Sequence, residues 1–436
     1  MMKIGMMTVA LSIASLVIPA AAEAQRAPID DTAATRTTLI VPDAVFDGRD
    51  GLVHKGWRVL VRGTRIVSVG PDVEAPVDAE TMALPGTTLL PGLIDAHVHL
   101  FLHPYDETSW NDQVLKEPLA LRTLRAGVNA HATLLAGFTT VRDLGTEGAG
   151  YADVGLKAAI AQGIMTGPRM LIATRALVAT GSYGPKGFEP GVDMPQGAEE
   201  ADGNALVIAA RRQVGNGADV IKLYADYRWA SGEPSRPTFS IAEMRAVVEA
   251  AHDAGRTVAA HASTPEGMRR ATLAGVDSIE HGNDGTAEVF DLMKARGVAF
   301  CPTLAATDAI ERYRGWNGAA PEPPAVIAKK RSFALALKSG VKMCVGGDTG
   351  VFTHGDNARE LVLMIAGGMP PAAALMAATS GNAGVLGIAE RLGSIAPGML
   401  ADIVAIKGNP EQKIDAIRDV AMVMKDGKVI KSPLTN

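Results

Sequence analysis

Between residues 93 and 350 the chain alternates short apolar, β-branched runs with longer stretches of helical periodicity. That alternation restricts the architecture more than any other feature, because buried strands separated by helices pair in parallel. Eight strand candidates occupy 93–99, 139–145, 169–175, 220–226, 257–263, 278–282, 299–304 and 343–350. Helical stretches stand between them, as at 241–254, 266–274 and 325–339. Several close on a glycine, such as Gly255, Gly275 or Gly340, as helix ends commonly do. Eight such units predict an α/β chain folded as a (β/α)8 TIM barrel. The competing architecture, an open doubly wound sheet, places a glycine-rich phosphate loop after its first strand. Here that place is taken by His97-Val98-His99.

The flanks read differently. Runs at 38–41, 57–61 and 65–69 are β-branched and bounded by turn residues, and the tail repeats this at 402–406, 422–424 and 428–430. Asp426-Gly427 between the last two is a hairpin signal. Both chain ends therefore predict one small β-sandwich, from 25–90 and 391–436, around a barrel at 91–390. Residues 1–24 have the form of a secretory signal peptide: Lys3, an apolar stretch from Met6 to Ile18, then Ala20-Ala21-Ala22-Glu23-Ala24. The uncharged stretch from Ile4 to Ala22 approaches the length of a membrane anchor, the competing reading. Cleavage near Gln25 predicts an exported protein, periplasmic or secreted, with no stable membrane insertion.

Composition narrows the function. At 47% hydrophobic residues the chain supports a large core. With 42 basic against 47 acidic side chains, it lacks the basic excess that nucleic-acid phosphate demands. Its two cysteines, Cys301 and Cys344, make no disulfide framework, and their places in strand candidates predict buried free thiols.

Barrel chemistry gathers at the C-terminal ends of strands. Strand one ends in His97 and His99, whose spacing puts them on one face. Lys222 lies in strand four, His261 in strand five, His281 in strand six and Asp348 in strand eight. Each alone has an ordinary explanation: a core histidine, a buried ion-pair lysine, a turn aspartate. Together they close five of the eight strand candidates with the residue types that bind zinc-like ions.

Pro91-Gly92-Leu93-Ile94-Asp95-Ala96-His97-Val98-His99 resembles the opening motif of the amidohydrolase superfamily. Ala136-Gly137-Phe138-Thr139-Thr140-Val141-Arg142-Asp143, His354-Gly355-Asp356-Asn357 and Gly398-Met399-Leu400-Ala401-Asp402 extend the likeness over roughly residues 38–432. With a lysine on strand four, the chain is most similar to the imidazolonepropionase-like branch. That branch includes Xaa-Pro dipeptidases, carboxypeptidase-like enzymes and ochratoxin-hydrolysing amidases. Lys222 argues against imidazolonepropionases and deaminases themselves, which typically hold one metal without a bridging lysine.

The resemblance implies two Zn2+, with Mn2+ or Co2+ as alternatives. His97 and His99 would hold the more buried ion, and His261 and His281 the second. Lys222, carboxylated by carbon dioxide to a carbamate, would bridge them. Asp348 would touch the first ion and act as general base and acid. The implied reaction is hydrolysis of a small dipeptide or N-acyl amino acid by metal-activated hydroxide. The same metals suit a lactonase or phosphotriesterase-like hydrolase, and a catalytically inactive binding relative is a third reading. Homo-oligomerisation is implied by the resemblance alone.

Four further residues are candidates for substrate binding. Tyr224 shares a face with Lys222 and either bonds the substrate or packs at the rim. Arg228 either clamps a substrate carboxylate or is a solvated loop charge. His354, six residues after Asp348, and His103, four after His99, are expected near the pocket. His54, His131 and His252 are expected to be structural or at the surface. The long loop 178–201, with 224–237 and 305–324, is expected to set substrate choice.

Overall fold

The β-branched runs at the two chain ends pair with each other in the computed structural model, which describes residues 36–189 and 191–432. Strand Thr37–Phe46 lies antiparallel to Arg58–Arg62 and parallel to Glu80–Pro91. Ile403–Lys407 pairs with the other side of Glu80–Pro91, and Val420–Lys425 and Lys428–Lys431 follow it outward. The strands form one continuous mixed sheet of eight. The sequence hides Glu80–Pro91 because Pro85 and Gly86 interrupt it, and such residues usually mark turns. The expected Asp426-Gly427 hairpin is present with both residues at positive φ, and a Cβ on Gly427 would strike the Gly63 carbonyl.

Seven of the eight expected central strands form, in two parallel sheets. Leu93–Val98, Phe138–Asp143 and Arg169–Ile172 make one. Val220–Tyr224, Thr257–Ala262, Ser278–His281 and Ala299–Cys301 make the core of the other, which Leu177–Val178 and Glu199–Glu200 extend. Segment 343–350 is the exception. It touches its neighbours through isolated parallel bridges, Phe300 to Met343 and Val98 to Thr349, rather than as a regular strand. Its glycines are the reason: Gly346 passes so near His97 that a Cβ there would lie 2.7 Å from the histidine Cβ. Asp348 itself has φ 60°, which breaks the ladder and turns its side chain.

Helices cover these sheets where caps and apolar spacing demand them. Ile241–Asp253 begins at a reciprocal capping box between Ser240 and Glu243. Pro265–Ala274 begins at Thr264 with proline in its first turn and ends at a left-handed Gly275. Met244, Val247, Met268 and Met293 from the helices pack on Ile221, Val258, Ile279 and Phe300 of the strands. Each such buried side chain contributes about 1.5–3 kcal/mol.

Two expectations need correction. The expected loop 305–324 starts as a helix, Leu304–Tyr313, whose first amides are received by the buried Glu360 carboxylate rather than by a local cap. Cys301 and Cys344 are not free thiols but form a disulfide, with Cα atoms 4.8 Å apart. Cys344 N donates to Phe300 O, so the two segments run side by side and bring the cysteines together. The segment 1–24, expected to be a signal peptide, lies outside the described residues. Among those described, no helix is long and apolar enough to cross a membrane.

Candidate metal centre and active site

The parallel strands bury their apolar bodies and present their polar last residues at one end. His97 sits in Leu93–Val98 with His99 just beyond it, Lys222 in Val220–Tyr224, and His261 in Thr257–Ala262, while His281 closes Ser278–His281. His97 and Lys222 are fully buried. The His97 ring centroid is 5.3 Å from that of His99 and 5.1 Å from that of His281, and His261 is 4.4 Å from His281. Asp348 Oδ1 lies 3.4 Å from His97 Nε2 and 3.3 Å from His99 Nε2. One ligand atom each of His97, His281 and Asp348 falls within 4.8 Å of the others, a spacing that suits a metal ion.

Three imidazoles have Nδ1 committed elsewhere. His97 Nδ1 bonds Glu280 Oε2 at 2.9 Å, His99 Nδ1 bonds the Gly145 carbonyl at 2.8 Å, and His281 Nδ1 meets Thr303 Oγ1 at 2.9 Å. These partners orient the rings and leave Nε2 for the cluster. His97 Nε2 and Lys222 Nζ are buried without a hydrogen-bond partner. An unpaired buried polar atom is destabilising, and here two of them meet at the focus of imidazoles and a carboxylate. This donor set fits divalent transition metals.

Electrostatics agree with that fit. Burial pushes the Lys222 amine down to about 8, against the attraction of Glu280 and Asp348. Burial, reinforced by the Lys222 charge, pushes His97 down to about 4. It drives His261 and His281 well below their ordinary value as well. Those three rings are therefore neutral near pH 7, as ligands must be. Burial opposes the charge on His99 too, yet Asp348, Glu147 and Asp143 raise it to about 9. Asp348 is buried, but His97, His99 and Lys222 hold it well below the usual carboxylate range.

Above the cluster lies a cavity of about 300 Å³, with His99, His261, His281 and Asp348 in its wall. Tyr224 and Arg228 line it as well. Tyr224 stacks on His261 with centroids 4.5 Å apart, and Arg228 lies over the Tyr227 ring at 5.5 Å.

A family model described as the amidohydrolase family matches residues 88–430. The chain belongs to the amidohydrolase family. It is a hydrolase of the class that acts on amide bonds. This amidohydrolase is 30% identical to an ochratoxinase of Aspergillus niger over 446 residues, 94% of this chain and 90% of that protein. It is 25% identical to the imidazolonepropionase of Deinococcus radiodurans, across 82% of this chain and 86% of that one. Among solved structures, a Xaa-Pro dipeptidase with methionine bound in its active site superposes at TM-score 0.80, with 32% identity over 91% of this chain and all of that one. The crystal structure of A. niger ochratoxinase superposes at TM-score 0.78, with 28% identity over 92% and 97% of the two chains. These neighbours imply a TIM-barrel-like α/β fold.

Two expected substrate contacts of this amidohydrolase do not reach the cavity. His103 has both ring nitrogens held, Nδ1 by Glu107 at 3.0 Å and Nε2 by Glu117 at 2.9 Å. The chain turns at 99–102, where Leu102 N bonds His99 O, and this turn carries His103 away from the wall. His354 Nε2 sits 3.2 Å from His99 O and 3.3 Å from Leu102 O, so it braces the backbone behind the site. His131 is exposed. His54 bonds Asp50 and His252 bonds Asp277, as expected of peripheral residues.

The support beneath the candidate ligands is not evident from sequence. Arg142, fully buried in the second strand, donates to Ala96 O, Ser278 Oγ and Glu280 Oε1. Glu280, opposed by burial but favoured by Arg142 and His97, is held down at about 2 and stays ionised. A chain of charge from Arg142 through Glu280 thus orients His97. Arg142 lies in the Ala136–Asp143 motif and Glu280 directly precedes His281, so charged residues of opposite sign within two strand candidates are the available signal.

Proposed function

We propose that this amidohydrolase is a binuclear zinc enzyme that releases an amino acid from a dipeptide or an N-acyl amino acid. The observation that carries this reading is the pair of unpartnered buried atoms, His97 Nε2 and Lys222 Nζ, at the focus of the histidines and Asp348. His97 and His99 would hold one ion, His261 and His281 the other, and Asp348 would touch the first. Bound ions supply the chemistry of lowering the pKa of water and polarising a carbonyl oxygen.

Lys222, lowered to about 8, keeps an appreciable neutral fraction, which supports attack on carbon dioxide. Its nitrogen forms the new bond to carbon and loses a proton, leaving an N-linked carboxylate able to bridge two cations. Asp348, ionised and buried, would accept the proton of the attacking water and pass it to the leaving amine. Arg228 would receive the carboxylate of the released amino acid, with Tyr224 beside it on the wall.

The finer architecture belongs to the same proposal. A closed barrel is supported by Ala96 N donating to Val345 O and Asp348 N to His97 O, which join segment 343–350 to the first strand. A sandwich-like curl of the end-built sheet is supported by Val61 and Ile66 sharing one core with Met422 and Met424 from its far side. Export rests on the character of residues 1–24.

The test is a panel of dipeptides and N-acyl amino acids, ochratoxin A included, given to zinc-loaded protein prepared with bicarbonate. Mass spectrometry should find a free amino acid from some members and none with Asp348→Asn. Silence across the panel, with turnover of lactones or phosphotriesters instead, would replace the amide reading with an ester one.

A further inference from the structure

Glu147 belongs to no motif, yet it stands in the wall of the active-site cavity and is almost completely buried. It follows the second strand in a loop fixed on several sides. Thr146 N bonds Thr174 O, Thr146 Oγ1 bonds Gly150 O, and Arg122 donates to Thr146 O. Its backbone is at φ 49°, in the left-handed region that non-glycine residues rarely occupy. His281, Thr303 and Asp348, all at the site, share that feature. Strain of this kind persists where the surroundings over-determine a functional position.

The two carboxylate oxygens are used unequally. Tyr183 OH donates to Oε2 at 2.5 Å and Trp110 Nε1 donates to the same oxygen at 2.9 Å. Oε1 is buried and accepts nothing. It lies 3.9 Å from His99 Nδ1, but that nitrogen is committed to the Gly145 carbonyl. A buried carboxylate oxygen that accepts no hydrogen bond is unfavourable, and a cationic donor would complete it. Across the aromatic wall, Tyr183 meets Tyr227 at 4.9 Å, and Arg228 lies over Tyr227. The cavity thus carries an anionic residue and a cationic residue separated by tyrosines, the complement of a zwitterion.

We infer that Glu147 is the subsite for a protonated amine, so that the preferred substrates are unblocked dipeptides rather than N-acyl amino acids. This rests on the amide-hydrolase reading and adds the chemistry of the acyl half. Glu147 is a specificity residue, since it holds the ammonium and touches no reacting atom.

Glycyl-phenylalanine and N-acetyl-phenylalanine differ only in that amine, so they form the test pair. In the zinc-loaded enzyme the ratio of kcat/KM, glycyl over acetyl, should exceed one, and Glu147→Gln should reduce that ratio about 10- to 100-fold, mostly through KM. The same two ligands titrated calorimetrically into zinc-loaded Asp348→Asn, with and without Glu147→Gln, read the preference without turnover. An equal ratio in wild type and Glu147→Gln, or equal binding of both ligands, overturns the inference while leaving the amide reading intact. If neither compound is cleaved but glycyl-phenylalanine still binds more tightly only when Glu147 is present, the amide reading and the dipeptide preference fall while the ammonium subsite at Glu147 stands.

Discussion

Glu280 never touches the cavity, but it sets the ring that does. Its Oε2 receives His97 Nδ1, and its Oε1 is neutralised by Arg142. Glu280→Gln keeps the shape and removes the charge, so zinc affinity should fall about 10- to 100-fold. Competition titration against a chelator measures this, and unchanged affinity with unchanged circular dichroism would remove Glu280 from the metal site. His99 gives a prediction of opposite sign to its neighbours. In the metal-free protein it is held charged up to about 9, and a charged imidazole cannot ligate. Metal affinity should therefore climb as pH rises toward 9 and level off above it. At pH 7, zinc binding should release this proton, which calorimetry in buffers of different ionisation enthalpy detects; heats independent of buffer would contradict it. The candidate ligands were legible as a group because histidine, lysine and aspartate at strand ends announce their chemistry, and the fold brings these side chains to one end of the strands. Glu147 and Glu280 were not, since a carboxylate near a histidine in sequence says nothing of which ring it meets across the fold.

Between strands, the connections aim the candidate ligands. Asp226 lies fully buried just past Val220–Tyr224 and receives Ser263 N, Thr264 N and Thr264 Oγ1. It thereby fixes the segment following His261 and the start of helix Pro265–Ala274. Burial raises its pKa, and the hydrogen bonds from Thr264 and Ser263 oppose that shift. Asp226→Ala leaves two part-buried amides without acceptors, and urea denaturation should show a loss of about 2–5 kcal/mol. A loss under 1 kcal/mol would mean that water or a neighbour replaces the carboxylate. Periodicity located seven central strands to within a few residues because their buried bodies are continuously apolar. It failed at 343–350, where glycines replace a regular ladder. It failed again at Leu304–Tyr313, whose N-terminal partner, Glu360, is remote in sequence.

For the whole molecule, the alternation of strands and helices and the β character of both ends were readable because each follows from local periodicity. The pairing of those ends into one sheet was readable only in outline, since register depends on Glu80–Pro91, a strand whose proline and glycine disguise it. What the assembled fold accomplishes is to carry six polar residues from distant segments to one buried focus, which in the proposed function holds two metals bridged by a carboxylated lysine. Metal analysis and 13C NMR of protein prepared with zinc and 13C-bicarbonate test this arrangement most directly. The expected result is two zinc ions per chain with a carbamate carbon signal, and loss of both the signal and the second ion in Lys222→Met. Fewer than two ions in the wild type, or two ions retained in Lys222→Met, would contradict it.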